Sequence, residues 1–140
     1  MSGFPVTLAL AMAAALAGPQ VKQVAEQAKQ GKAVIVDVRE ADELADGMVS
    51  SAYWLSTSDI KDHSPRYQEI LKRLPKDTVV YTYCAAGHRA GRFADELRQA
   101  GFKAENLGGY KDLEKAGFPV KPVKDAKSQP CPYLCGPQAK

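Results

Sequence analysis

The chain has 140 residues, 45% of them hydrophobic and 25% charged, with a net charge of +3. That length and apolar content suit one domain around one core. The mild positive charge suits small anions, and no basic stripe with interleaved aromatics argues for a nucleic-acid partner. No run approaches the roughly 20 apolar residues of a transmembrane helix.

Residues 6–17 are apolar, Ala-rich and short, and Ala15-Leu16-Ala17 before Gly18 has the small-x-small form of a cleavage site. This is a secretory signal pattern over residues 1–17, although the first five residues hold no Lys or Arg. Cleavage would start the mature chain at Gly18 and place it in the periplasm or outside the cell. A packed N-terminal helix in a cytoplasmic protein is the alternative. The domain itself is expected over residues 18–122, with a tail over 123–140.

Val21, Val24, Ala25 and Ala28 fall at helical spacing over residues 20–30, and Gly31 follows as a stop. The all-apolar run 33–36 reads as a strand covered on both faces, as in a parallel sheet. A short helix is expected over 41–45, ended by Gly47, and a second strand over 52–55. Ser58-Asp59 can cap the helix that comes next. Tyr67, Ile70, Leu71 and Leu74 line one face of a helix beginning near Pro65. Pro75-Lys76-Asp77 turns the chain into a β-branched and aromatic strand over 79–83. Ala90, Phe93, Ala94, Leu97 and Ala100 then mark one face of another helix. A last strand over 104–107 and a short helix over 110–115 complete the pattern. From Pro119 onward Pro119, Pro122, Pro130, Pro132 and Pro137 mix with Lys121, Lys124 and Lys127, giving an extended basic tail with little prospect of a core.

Strands alternating with helices predict an α/β fold: an open parallel sheet with helices on both faces and its site beyond the carboxyl ends of the strands. Asp37 and Cys84 each sit at such an end. Cys84 is followed by Ala85-Ala86-Gly87-His88-Arg89-Ala90, a small-residue loop leading into a helix. Unpaired N–H groups and the positive end of the helix dipole would face the sulfur there. Both favour thiolate over thiol, and Arg89 and Arg92 add positive charge. A buried structural cysteine is the bland reading, but small residues that let a loop wrap its amides around the sulfur favour catalysis. Gly87 fits that loop, because chains that curl around an anion often require positive φ.

Cys84 to Arg89, followed by Ala94, Leu97, Gly101-Phe102, Asn106-Leu107-Gly108-Gly109 and Ala116-Gly117-Phe118-Pro119-Val120, resembles the second half of a rhodanese (sulfurtransferase) domain. Val34-Ile35-Val36-Asp37-Val38-Arg39-Glu40 resembles the first-half signature, and the match runs in order over about residues 20 to 120. The resemblance implies a single-domain sulfurtransferase. Cys84 would take a sulfane sulfur from thiosulfate or a similar anionic donor and pass it, as a persulfide, to cyanide or a thiol. It further implies that no metal or organic cofactor is needed, that Arg89 helps bind the anionic substrate, and that Asp37 braces the active loop while Arg39 lies in an internal ion pair. His88 either shapes pocket polarity or has no chemical role. Gly108-Gly109 lets the last strand turn close to the active-site wall. A monomer is expected.

Three positions depart from the family pattern. Gly47-Met48-Val49 stands where Gly-His-Ile is usual, Ala90 where a Ser or Thr often donates to the sulfur, and Leu113 where an aromatic is usual. Ala90 points to weak activity on thiosulfate and keeps open a persulfide carrier that serves a protein acceptor. A cysteine phosphatase or arsenate reductase is the minority reading, since the loops of those relatives are one residue longer than Ala85, Ala86, Gly87 and His88. Cys131 and Cys135 can pair as a disulfide, contact a partner's metal, or exchange electrons with Cys84.

Overall fold

The computed structural model describes residues 19–125. The expected signal segment, residues 1–17, and the tail cysteines Cys131 and Cys135 lie outside the described residues. Strands β1 (Ala33–Asp37), β2 (Met48–Val49), β3 (Ala52–Trp54), β4 (Val79–Cys84), β5 (Lys103–Gly109) and β6 (Val120–Lys121) alternate with helices α1 (Pro19–Lys29), α2 (Thr57–Asp62), α3 (Pro65–Arg73), α4 (His88–Gln99) and α5 (Tyr110–Lys115). Four strands form one parallel sheet in the order β3-β1-β4-β5. Strands β2 and β6 form a separate antiparallel ribbon.

Successive side chains of a strand point to opposite faces, so β1 and β4 each feed two cores. Val34, Val36, Val80 and Cys84 pack on one side with Ile60 of α2, Ile70 of α3 and Phe93 and Leu97 of α4. Ile35 and Tyr83 pack on the other with Val21 and Val24 of α1 and Tyr110 and Leu113 of α5. The α/β sheet with helices on both faces is therefore as expected. Among the described residues no helix is long and apolar enough to cross a membrane.

The short helix expected over 41–45 is present as a 3-10 turn, Ala41–Asp46, ended by Gly47. Two local expectations are corrected. Ser58 and Asp59 lie inside α2, and the caps are Ser56, whose Oγ accepts from the Asp59 N–H at 3.0 Å, and Ser64, whose Oγ accepts from the Tyr67 N–H at 3.2 Å. An N-cap needs extended backbone just before the first turn, which Ser56 supplies at φ −64°, ψ 152°. The strand over 104–107 is also not the last. Val120 and Lys121 pair with Val49 and Met48, the Ser50 N–H donates to the Pro119 carbonyl at 2.8 Å, and Val123 is buried in the cluster that holds Leu44. Proline can join such a ribbon through its carbonyl, so the start of the Pro-rich segment belongs to the fold. Met48, where the family pattern has histidine, is fully buried in that same cluster.

An ion pair is buried at the carboxyl end of β1. Asp37 and Arg39 are 0% and 2% exposed, and Arg39 Nη2 meets Asp37 Oδ2 at 2.7 Å. Groups from β3, β4, α5 and the connection after β1 satisfy them. Asp37 also accepts from the Arg39 N–H and from the Tyr83 hydroxyl, while Arg39 donates to the carbonyls of Glu43 and Gly47. Trp54 Nε1 donates to the Arg39 carbonyl, and the guanidinium stacks over the Tyr110 ring at 4.2 Å. Burial would favour a neutral Arg39, but the hydrogen bonds and charge of Asp37 outweigh it and hold the guanidinium protonated.

Removing one member of a buried pair strands the other charge. Arg39→Ala is expected to lower unfolding free energy by about 3–5 kcal/mol, read from the urea midpoint. Lys111→Ala, at an exposed pair with Glu114, should change it by no more than ~0.5 kcal/mol. Equal effects would contradict the assignment of the buried pair as the structural anchor.

Candidate active site

Strand β4 delivers Cys84 at its carboxyl end, and α4 begins four residues later at His88. The Cys84 side chain is buried, 1% exposed, and the Gly87 N–H donates to its Sγ at 3.0 Å. Gly87 caps the helix in the left-handed region, at φ 96°. That conformation turns its amide back toward the sulfur, and a side chain there would be strained. The unpaired amides and dipole of the first turn of α4 add positive potential on the same side.

The loop is braced by two strand residues, Asn106 and Thr82. Asn106 Nδ2 donates to the Gly87 carbonyl at 2.8 Å, while Asn106 Oδ1 accepts from the Gly108 N–H at 2.9 Å. Thr82, fully buried, donates its hydroxyl to the Ala90 carbonyl at 2.8 Å. Between Thr82 and Tyr83 the register with β5 shifts by one residue, which sets Gly109 opposite Cys84. Bulges of this kind re-aim a strand beside a site. A methyl group on Gly109 would lie 2.5 Å from the Ala85 carbonyl oxygen, so the wall and the loop are in contact, as Gly108-Gly109 suggested.

Arg89 lies in the first turn of α4 and pairs with Glu43. Its Nη1 and Nη2 each donate at 2.7 Å to one oxygen of Glu43, a bidentate pair that ties α4 to the 3-10 turn. Those hydrogen bonds push Arg89 further toward its charged form, with a smaller contribution from the Cys84 sulfur. They also hold the Glu43 carboxyl below its ordinary value. Glu43 Oε2 accepts from the Glu40 N–H as well, and Glu40 Oε1 accepts from the Ser58 N–H, so the carboxylate is fixed in place.

Asp37 is at the expected strand end, yet it does not touch the loop. It is two residues on from Ile35, so its side chain faces the α1 and α5 side of the sheet, opposite Cys84. It reaches β4 through Tyr83, whose hydroxyl donates to Asp37 at 2.7 Å and accepts from the Val49 N–H at 3.0 Å. Burial, and then the Asp37 charge, push the Tyr83 hydroxyl well above its usual range, so it stays a donor. Arg39 is in the internal ion pair, as the resemblance implied. Ala85, Ala86, His88 and Arg92 are exposed around the loop, and Ala90 is buried beneath it.

Glu43, Thr82, Asn106 and Tyr83 are the site-forming residues that sequence reasoning missed. Asn106 fell within the family pattern but carried no role, and Tyr83 read as a strand aromatic. Glu43 is 46 residues from Arg89, and no local pattern joins the two.

The fold has counterparts among known proteins. The model of the Rhodanese-like domain family matches residues 20–116. A protein of known structure from Staphylococcus saprophyticus subsp. saprophyticus is 26% identical, with a TM-score of 0.55 over 72% of this chain and 94% of that one. A protein from Rhodopseudomonas palustris, described as of unknown function and a possible tyrosine phosphatase, is 25% identical, with a TM-score of 0.57 over 72% of this chain and 81% of that one. A human single-domain sulfurtransferase, 22% identical, shares the fold at a TM-score of 0.54 over 67% of this chain and 91% of that one. No curated protein is similar enough in sequence to match. With a family match across most of the chain, on a parallel sheet that ends in a cysteine cradled by the start of a helix, the chain belongs to the Rhodanese-like domain family.

Proposed function

We propose that the chain is a sulfurtransferase that works through a Cys84 persulfide. The observation that carries the reading is the Gly87 N–H donating to Cys84 Sγ at 3.0 Å, in a loop of four residues closed by Arg89. The thiolate attacks the outer sulfur of thiosulfate or a related sulfane donor. The donor's S–S bond breaks, sulfite leaves with the bonding electrons, and Cys84 keeps the sulfur as a persulfide. Cyanide or a thiol then takes the outer sulfur and restores the thiolate, so the kinetics are ping-pong. Oriented amides stabilise the negative charge in both steps without having to reorganise. The reaction needs no metal or organic group.

A second reading is a persulfide carrier that serves a protein acceptor. Ala90, which offers the sulfur no hydroxyl, favours it. Slow turnover of thiosulfate with fast transfer to a protein thiol would identify the carrier. We also propose that residues 1–17 are an export signal and that Cys131 and Cys135 pair with each other, leaving Cys84 free for sulfur chemistry.

Cys84→Ser is expected to abolish both the one-sulfur mass increase on incubation with thiosulfate and thiosulfate:cyanide transfer. Cys131→Ser and Cys135→Ser should keep most of the activity. Retained transfer without Cys84, or Cys84-dependent turnover of an aryl phosphate, would overturn the mechanism.

Gly109→Ala tests the wall. Its φ of −104° suits alanine, so the substitution acts only through contact with Ala85. It should cost about 1–3 kcal/mol of stability and lower kcat/KM on the order of 10²-fold by displacing the loop. Unchanged kinetics in a folded variant would mean that the loop position does not control transfer.

Export and the tail pair make one joint expectation. Natively expressed protein, stripped of bound sulfur and denatured, should show one free thiol and an N-terminus at Gly18. Three free thiols behind an intact Met1 would place it in the cytoplasm.

A further inference from the structure

Gly91 is an unexpected residue for its place in α4. It is the fourth residue of the helix and has no positive φ, so its backbone conformation suits any side chain. Glycine also weakens a helix relative to alanine. Space supplies the reason for it. A methyl group at Gly91 would lie 3.2 Å from Asn106 Nδ2. That nitrogen is not free to retreat, because it donates to the Gly87 carbonyl at 2.8 Å while Oδ1 of the same amide accepts from the Gly108 N–H at 2.9 Å. Any shift that relieves the methyl group strains one of those two bonds.

Asn106 stands where the wall and the loop of the cradle meet. It lies opposite Thr82 in the β4–β5 register, and the register shift comes directly after it. Its oxygen closes a local turn across the bulge to Gly108, and its nitrogen reaches over to the loop. Both bonds need a donor and an acceptor on one short planar group. An ionised aspartate could not donate, and a leucine could do neither.

The loop bond acts on the most permissive kind of residue. Gly87 gives its N–H to Cys84 Sγ at 3.0 Å, and its carbonyl accepts from both the Gly91 N–H at 2.9 Å and Asn106. In a trans peptide the next N–H points opposite to the carbonyl, so the His88 N–H is turned out of the helix start, the direction from which an anion is met. Holding that carbonyl fixes the Gly87–His88 peptide plane beside the sulfur.

We propose that Asn106 is a positioning residue for sulfur transfer, whose side-chain amide holds the Gly87–His88 peptide in the orientation that serves Cys84, and that residue 91 is glycine to make room for it. This rests on the sulfurtransferase reading above and adds two residues to it.

A double-mutant cycle on kcat/KM for thiosulfate:cyanide transfer tests the pairing, with Asn106→Ala, Gly91→Ala and the double variant. Asn106→Ala should lower kcat/KM about five- to tenfold, the worth of one hydrogen bond. Gly91→Ala should lower it about two- to threefold in the wild type by displacing the amide, yet have no effect in the Asn106→Ala background, where no amide remains to displace. An effect of Gly91→Ala that is equal in both backgrounds would be a helix effect alone and would overturn the proposal, as would unchanged kcat/KM in a folded Asn106→Ala. Should Asn106→Ala fold poorly, amide hydrogen exchange in Gly91→Ala supplies a second measurement. Exchange at Gly87 and His88 should be faster than in the wild type, and unchanged or slower exchange refutes the brace. If wild-type Cys84 takes up no sulfur from thiosulfate, the sulfurtransferase reading fails by itself, and the exchange rates decide separately whether Asn106 holds the loop.

Discussion

Asp37 and Arg39 form the contact through which the two faces of this molecule are joined. Taking both charges out of water is costly, and only complete pairing and hydrogen bonding make it tolerable. The pair meets that demand by drawing in Tyr83 from β4, Trp54 from β3, and the carbonyls of Glu43 and Gly47 from the connection after β1. Each group is therefore held where the pair needs it. Because Glu43 is among them, the same pair fixes the carboxylate that clamps Arg89 at the start of α4. A buried charge on one side of the sheet thus positions a guanidinium beside the cysteine on the other.

The cradle around Cys84 depends on backbone more than on side chains. Gly87 in the left-handed region supplies the amide, α4 supplies its dipole, and the one-residue register shift in β5 brings Gly109 against Ala85. Asn106 and Thr82 then lock the loop from behind through the carbonyls of Gly87 and Ala90. Small residues are required at these points because strand and loop approach to within contact. On the proposed function this is a ring closely fitted to one extra sulfur atom, with little freedom to widen.

The two halves divide the work of such a site. The loop supplies the amide that faces the sulfur, and the Glu43–Arg89 pair ties the start of α4 to the 3-10 turn. Neither acts through a mobile side chain. Arg89 is held by two hydrogen bonds of 2.7 Å, and Glu43 is held from behind by the Glu40 N–H.

Much of this was legible in the chain. The apolar run before Asp37, the β-branched run before Cys84, and the spacing of Phe93, Ala94 and Leu97 fixed β1, β4 and α4, because burial on a strand or helix face leaves a periodic trace. Cys84, Gly87 and the Gly108-Gly109 wall could be read because they follow from local strand-loop-helix geometry. Elements too short to carry a period could not be read: the caps at Ser56 and Ser64, and the β2–β6 ribbon that draws Val120 and Val123 into the fold. The resemblance implied the ion pair of Arg39, but the pairing of Arg89 with Glu43 was out of reach, and Asp37 by itself looks like a residue that braces the loop. Only the tertiary fold places Glu43 across Arg89 and turns Asp37 to the opposite face, because such pairings depend on which distant segments the sheet brings together.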